Sequence, residues 1–428
     1  MNNNAILYGH TMCKLTQWLV AVGICCLVCL LPACDATKKE PIKVGVLHSL
    51  TGTMAISEIA VVDATLMAIE EINHQGGLLG RPIEAIVVDG KSDWPTFERE
   101  AERLIQQEQV VVVFGCWTSA SRKTVRPVFE QYNHLLFYPV QYEGLESSPN
   151  IIYTGAAPNQ QLIPAVKWSF DNLGKKYFLV GSDYIFPRAA NAIIKEQIHA
   201  LKGEVVGEEY LLLGSHKVDE IIAKIVASKP DVLLNTINGD TNVSFFQRLR
   251  HAGVTPDTLP TISFSIAEAE LVTMSAADMA GDYAAWNYFQ SIDSDANQRF
   301  VAAFKQRYGD DRVTDDPIEA AYFGVHIWAQ VVADIGTADV HEVRNALKGR
   351  HFNAPEGRVY IDPKNNHTWK QVRIGKIQAN GQFEIVWSSP HPIRPIPFPI
   401  YKTRQEWIAL LDGWYQSWGK QWSNSQMP

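Results

Sequence analysis

Three segments within residues 115–160 decide the fold: GCWTSASRK at 115–123, LLFYPVQYEG at 135–144 and NIIYTGAAPNQ at 150–160. Each is tied to a short apolar run of the kind a buried strand requires, and each passes into small, polar and aromatic residues. In an α/β sheet, ligands are held by the loops at the carboxyl ends of the strands. Three consecutive loops of this kind, carrying Trp117, Tyr138, Tyr142 and Tyr153, predict a small polar pocket with aromatic walls. That points to a small-molecule receptor and away from a catalyst.

The flanking chain has the period that such a sheet needs. IKVGVLHSL (42–50), IEAIVVDG (83–90) and VVVVFG (110–115) read as strands, LLFYP (135–139) as a fourth. The Val-rich third run suits a strand covered on both faces. Helical patterns over 57–73, 96–107 and 119–132 separate them, and Gly76-Gly77 stops the first. A second series follows, with helices over 159–172, 189–200, 218–228 and 241–252. Its strands are YFLVGS (177–182), EVVGEEYLLL (204–213), DVLLNTI (231–237) and TISFS (261–265). Alternating strands and helices of this length predict α/β architecture with two doubly wound parallel-sheet lobes.

The rest is too short for a third lobe. Helices are expected over 296–308, 317–335 and 340–347, then strands RVYID (358–362), WKQVRIGKIQ (369–378) and QFEIVW (382–387), with a turn at Asn380-Gly381. These elements would return across the lobe boundary and form a hinge of several crossings. The expected division is 42–155 with 288–349 as lobe 1, and 156–287 with 350–390 as lobe 2. Residues 391–428 hold the Pro-rich strap HPIRPIPFP and a final helix striped by Trp407, Leu411, Trp414, Trp418 and Trp422. The stripe reads as docked on the protein body, with contact at a membrane interface as the alternative.

The N-terminus differs in kind. Between Leu15 and Leu31 the chain is apolar, and it ends in Leu31-Pro32-Ala33-Cys34. The length fits a signal-peptide core and is short for a membrane span of ~20 residues. The ending resembles a bacterial lipobox, so residues 1–34 are expected to be a leader, Cys34 the lipidated residue, and 35–41 a linker. Asp35 after the cysteine resembles the signal for retention on the outer face of the inner membrane. Five of the six cysteines lie in or end that leader, so Cys116 would remain as a free thiol. A domain of this size needs no disulfide even outside the cytoplasm.

Across 428 residues the composition is 46% hydrophobic and 20% charged, with a net charge of −8. That balance, without a basic cluster, argues against nucleic acid. No nucleophile elbow, phosphate loop, dinucleotide fingerprint or zinc spacing is present, so no enzyme, cofactor or metal is expected. Cys116 reads as a small residue of the pocket wall. Asp310, Asp311, Asp315 and Asp316 read as a loop and the acidic start of a helix before Pro317.

The candidate ligand-binding residues are Trp117, Thr118, Ser119, Tyr138 and Gln141 from the first series, and Tyr184, Phe186, Asn238 and Asp240 from the second. Backbone N–H groups at the helix start near 118–121 are unpaired and suit a carbonyl or carboxylate oxygen. Ser119 adds a hydroxyl or caps the helix; Asp240 accepts N–H bonds or caps the helix before Thr241. Trp117 stacks on a flat ligand or belongs to the core. Trp286 reads as core.

The motifs HSLTGTMAISE, SDWPTFE, FGCWTSASRK, FYPVQYEG, YTGAAPNQQ, GSDYIFPR and NNHTWKQVRIGKI, with the Trp-rich tail, resemble the type I periplasmic substrate-binding proteins of ABC transporters. The chain looks most like the urea-binding members of that family, from Ile42 to Asn424. The amide-sensing regulators of amidase operons are similar along GSDYI-x-PR and the YEG segment. They have tyrosine in place of Trp117 and Phe186, and Thr and Pro in place of Val140 and Gln141.

The resemblance implies a lipid-anchored, monomeric, periplasmic receptor that closes on urea or a short amide and delivers it to a membrane permease. Branched-chain amino-acid receptors share the fold, and Ser119 and Asp240 could meet a carboxylate and an ammonium. Aromatic bulk at 117, 138 and 184 argues against a leucine side chain. A sensor that passes ligand occupancy to a regulatory partner is the other functional class.

Overall fold

The computed structural model describes residues 39–424. The expected leader of 1–34, its lipidated Cys34 and most of the linker lie outside those residues. The compact body begins at Pro41.

The first lobe is built on β1 (Ile42–His48), which is buried along almost its whole length. After it come α1 (Ala55–His74), β2 (Ile83–Asp89), α2 (Trp94–Gln106), β3 (Val113–Gly115), α3 (Ser119–Gln131), β4 (Leu136–Tyr138) and β5 (Ile151–Tyr153). Their order in the sheet is β2-β1-β3-β4-β5, all parallel. The order reverses between β1 and β3, and the crevice beyond their carboxyl ends is where such sheets bind ligands. Only glycine fits at Gly115, since a Cβ there would lie 2.3 Å from the Leu47 carbonyl oxygen.

The second lobe repeats the plan. It runs α4 (Leu162–Asn172), β6 (Lys176–Ser182), α5 (Ile185–Ala200), β7 (Glu204–Leu211), α6 (Asp219–Ser228), β8 (Val232–Thr236), α7 (Thr241–His251), β9 (Thr261–Ser263), α8 (Glu268–Thr273), α9 (Ala276–Met279) and β10 (Tyr283–Trp286). The parallel part has the order β7-β6-β8-β9-β10. Its reversal lies between β6 and β8, so the second crevice begins at Asp183 and Ile237.

The chain then returns to the first lobe as α10 (Asp295–Tyr308), α11 (Asp316–Ile335) and α12 (Val340–Ala346). Trp328, Val331 and Val332 of α11 share one core with Val44 of β1 and Phe114 of β3. A separate sheet of β11 (His351–Ala354), β12 (Gly357–Ile361) and β13 (Thr368–Trp369) packs Ala354 and Val359 on Ala320 and Phe323 of α11. Residues 351–361 thus lie against α11, while His367 and Thr368 adjoin Tyr153 of β5. β14 (Arg373–Ile377) and β15 (Phe383–Ser388) extend the second sheet as an antiparallel edge.

Asn287 ties the crossings together. Its side-chain amide donates to Gln160 O and Gln371 O, both at 3.0 Å, and its backbone N–H donates to Asp316 at 2.9 Å. Beyond the strap, α13 (Arg404–Ser417) starts at a Thr403–Glu406 capping box. Trp407 is fully buried, and Leu411, Trp414, Trp418 and Trp422 join it against α5 and its surroundings in the second lobe.

Candidate functional site

The two crevices face each other and the lobes touch directly across them. Gln141, just past β4, donates through Nε2 to Phe264 O, just past β9, at 2.8 Å. Ser57 in the first turn of α1 donates to Glu270 of α8 at 2.6 Å. Thr53 donates to Asp240, and the Asp240 N–H approaches Thr53 O. Gly239 makes that last meeting possible: it has φ +70°, and a Cβ there would lie 2.9 Å from Thr53 O. Apolar contact spans the cleft as well, because Ala120 and Leu145 of the first lobe share a cluster with Tyr184 and Phe186 of the second.

The candidate residues divide by what their polar atoms do. Thr118 caps α3, its hydroxyl accepting the Ser121 N–H at 3.0 Å. The Ser119 hydroxyl is held between Glu143 and Arg122. Tyr138 donates to Trp117 O, and the indole of Trp117 lies in the first-lobe core at 3% exposure. Asn238 is turned back on β8, donating to Thr236 O at 3.1 Å. Asp240 makes no cap to α7 and serves the contact with Thr53.

Gln141 keeps its Oε1 buried without a hydrogen-bond partner. Tyr184, the N-cap residue of α5, is buried with no side-chain cap bond. Phe186 sits in the first turn of α5, which begins earlier than the 189 read from the sequence. Pro187 at its third position is compatible with a helix start, since the N–H it lacks is one the first turn does not use.

Below these loops is a fixed ionic layer. Arg122 lies between Glu143 at 3.2 Å and Glu146 at 3.0 Å, its guanidinium over the rings of Tyr138 and Tyr142. Burial alone would raise Glu146, but Arg122, Lys123 and Arg126 outweigh it and hold its carboxyl well below the usual range. The layer pins the start of α3 and the loop after β4 in one arrangement.

Sequence reasoning missed one residue. Glu58, in the first turn of α1, is fully buried at the β1/β3 crevice. Its Oε2 accepts His48 Nδ1–H at 2.9 Å and the Ser49 N–H at 2.8 Å, while Oε1 has no partner. The signal was present in HSLTGTMAISE, where one carboxylate follows a strand end by ten residues. The position reads equally well as a solvated helix residue until α1 is known to start at 55.

Cys116 is also buried in this crevice, with φ +67°. Burial first, and then the charge of Glu58, push its thiol far above the ordinary range. A thiol so placed stays protonated and is a poor nucleophile. Among the described residues, no group of His, Cys, Asp and Glu is arranged to hold a metal ion.

Comparison with known proteins agrees with this geometry. The Leu/Ile/Val-binding protein homolog 6 of Brucella melitensis is 23% identical over 358 residues, covering 81% of this chain and 90% of that protein. A solute-binding protein of an ABC transporter from R. palustris, in complex with 4-hydroxybenzoate, superposes with a TM-score of 0.76 at 21% identity, covering 83% of this chain and 98% of the other. The branched-chain amino acid transporter substrate-binding protein of Streptococcus pneumoniae, in complex with isoleucine, gives 0.73 at 19% identity, with 83% and 100% covered.

A limonene hydroxylase of Geobacillus stearothermophilus is 36% identical over 124 residues, but the chain spans only 23% of that protein's length. The partners matched over most of their length share the type I periplasmic binding fold. The model of the periplasmic binding protein domain matches residues 42–404, and the chain belongs to that family.

Proposed function

We propose that this protein is an extracytoplasmic receptor that closes its two lobes on urea or a short amide and delivers it to the permease of an ABC transporter. Membership of the family implies a small ligand, a membrane permease as partner and a site of action outside the cytoplasm. The observation that carries the ligand class is the direct bond from Gln141 to Phe264 O. With the lobes meeting at the site loops themselves, and with Trp117, Tyr138, Tyr184 and Phe186 all at 3% exposure or less, the cleft suits a ligand of few atoms.

Ligand that touches both lobes favours the closed form, and the permease would recognise that form. The protein acts as a monomer held at the outer face of the inner membrane through lipid on Cys34. In this reading it is a receptor and no catalyst, and Cys116 in the crevice is a buried thiol.

The second reading is a branched-chain amino acid, which the Brucella relative's name favours. Calorimetric titration with urea, acetamide, formamide, thiourea and leucine separates the two. Saturable binding of urea with no heat from leucine is expected. Leucine binding alone would overturn the urea reading and leave the family intact, and preference for acetamide would move the protein toward amide uptake or sensing.

A further inference from the structure

We propose that the free oxygen of Glu58 is the ligand's principal acceptor, which restricts the cleft to molecules presenting N–H donors and excludes those presenting only a carboxylate. The proposal rests on the reading of the cleft as the ligand site. Glu58 meets the end of β1, at the point where the order of the first sheet reverses. One of its oxygens is fixed by two donors from the end of β1, His48 Nδ1–H and the Ser49 N–H. That leaves Oε1 with its direction set and no hydrogen bond, in a side chain only 1% exposed.

A buried acceptor without a donor has lost its hydration with nothing in exchange. A ligand N–H supplies the missing donor, which a C–H or a carboxylate oxygen cannot do. Among the described residues, the basic side chain in contact with Glu58 is the imidazole of His48. Arg122 and Lys123 are committed to Glu143 and Glu146. The Gln141 Oε1 adds a second, neutral acceptor on the loop after β4. The charge of Glu58 also reaches the second lobe: Tyr184 is raised mainly by burial, and Tyr138, Glu143 and Glu58 add to it against Arg122. Glu58 also adjoins Ser57, whose hydroxyl donates across the cleft to Glu270, so the acceptor stands beside a contact between the two lobes.

The test is titration of the purified chain and its Glu58→Gln and Glu58→Asp variants with urea, acetamide, leucine and benzoate. Glu58→Gln keeps the size and can present an NH2 where the acceptor stood. It should weaken the best N–H-bearing ligand at least about tenfold, near 1.4 kcal/mol, with the ligand-free melting temperature little changed. Glu58→Asp keeps the charge but draws the oxygen back by about one C–C bond length, ~1.5 Å, and should also weaken binding.

Unchanged affinity in whichever variant folds overturns the proposal, and so does tighter binding of benzoate than of urea or leucine by the unaltered chain. If the unaltered chain takes leucine and not urea, the urea reading fails while Glu58 is still judged, through leucine's ammonium. If it takes urea and Glu58→Gln takes urea equally well, only the Glu58 proposal fails.

Discussion

Tyr184 stands at the N-cap of α5 with its ring buried against Phe186, 6.3 Å away between centroids. Its hydroxyl makes no hydrogen bond to any described residue. Removing that hydroxyl therefore leaves no protein group unpaired, and the loss should be read in ligand binding alone. Tyr184→Phe is expected to weaken urea binding by roughly three- to tenfold, the worth of one hydrogen bond, while the melting curve of the ligand-free protein stays put. A lowered melting temperature with intact affinity would assign the hydroxyl to the fold.

Trp117 gives the opposite lesson. The sequence offered it as a stacking platform or as core, and the indole shares the first-lobe cluster with Leu136, Tyr138 and Val140. Truncation to alanine at such a place costs about 3–5 kcal/mol of stability, so a loss of binding there would not identify a ligand contact. Thr118, Ser119 and Asp240 were legible as polar residues at strand ends. Which of their atoms is free was not, because that depends on partners 24 residues away for Ser119 and 187 residues away for Asp240.

At the scale of elements, most strands and the longer helices of both lobes are read from local period, since Val-rich runs and amphipathic helices carry their own signal, whereas the short α8 and α9 are not. β10 is not, because Tyr-Ala-Ala-Trp has neither alternation nor branched residues, and its place is set by neighbours on both sides.

The crossings also gather carboxylates that no local pattern reveals: Glu268 and Glu270 on α8 face Asp315 and Asp316 at the head of α11. Burial, with smaller pushes from Glu270 and Asp316, raises Glu268 to about 8 against the opposing Gln290 N–H. The folded protein thus holds a proton there that the unfolded chain gives up near 4.5. The stability contributed by Glu268 should be full below about pH 4.5, fall as pH rises from there to about 8, and level off above. Glu268→Gln should melt with the unaltered chain at pH 5 and roughly 2–5 °C above it at pH 9. Equal melting temperatures at pH 9 would show that Glu268 is charged at no cost.

At the scale of the whole molecule, the end of the described chain joins both lobes at the edge of the cleft. Trp422 O accepts the Ile185 N–H at 3.0 Å, and Asn424 bonds Asp183 through backbone and side chain. These are the residues that flank Tyr184 in the site loop of the second lobe. Between them, Ser423 accepts the indole N–H of Trp94 at 2.8 Å, and Trp94 opens α2 of the first lobe. Lys123 of α3 lies 5.2 Å from the ring centre of Trp422.

Opening the cleft by moving one lobe from the other must break the Trp94–Ser423 bond or lift the tail off the site loop. The Trp stripe of α13 was legible as a docking face; that its continuation bridges the lobes was not, since the partners are more than 200 residues apart in sequence. Trp94→Phe keeps the ring against Phe97, 6.2 Å away between centroids, and deletes only the N–H. Such a bond is worth about 0.5–1.5 kcal/mol, so stopped-flow release of urea should be roughly two- to tenfold faster in the variant. Association should change little, because the encounter begins from the open form, where the bond is already broken. An unchanged release rate would show that the tail follows the second lobe as the cleft opens and holds nothing shut.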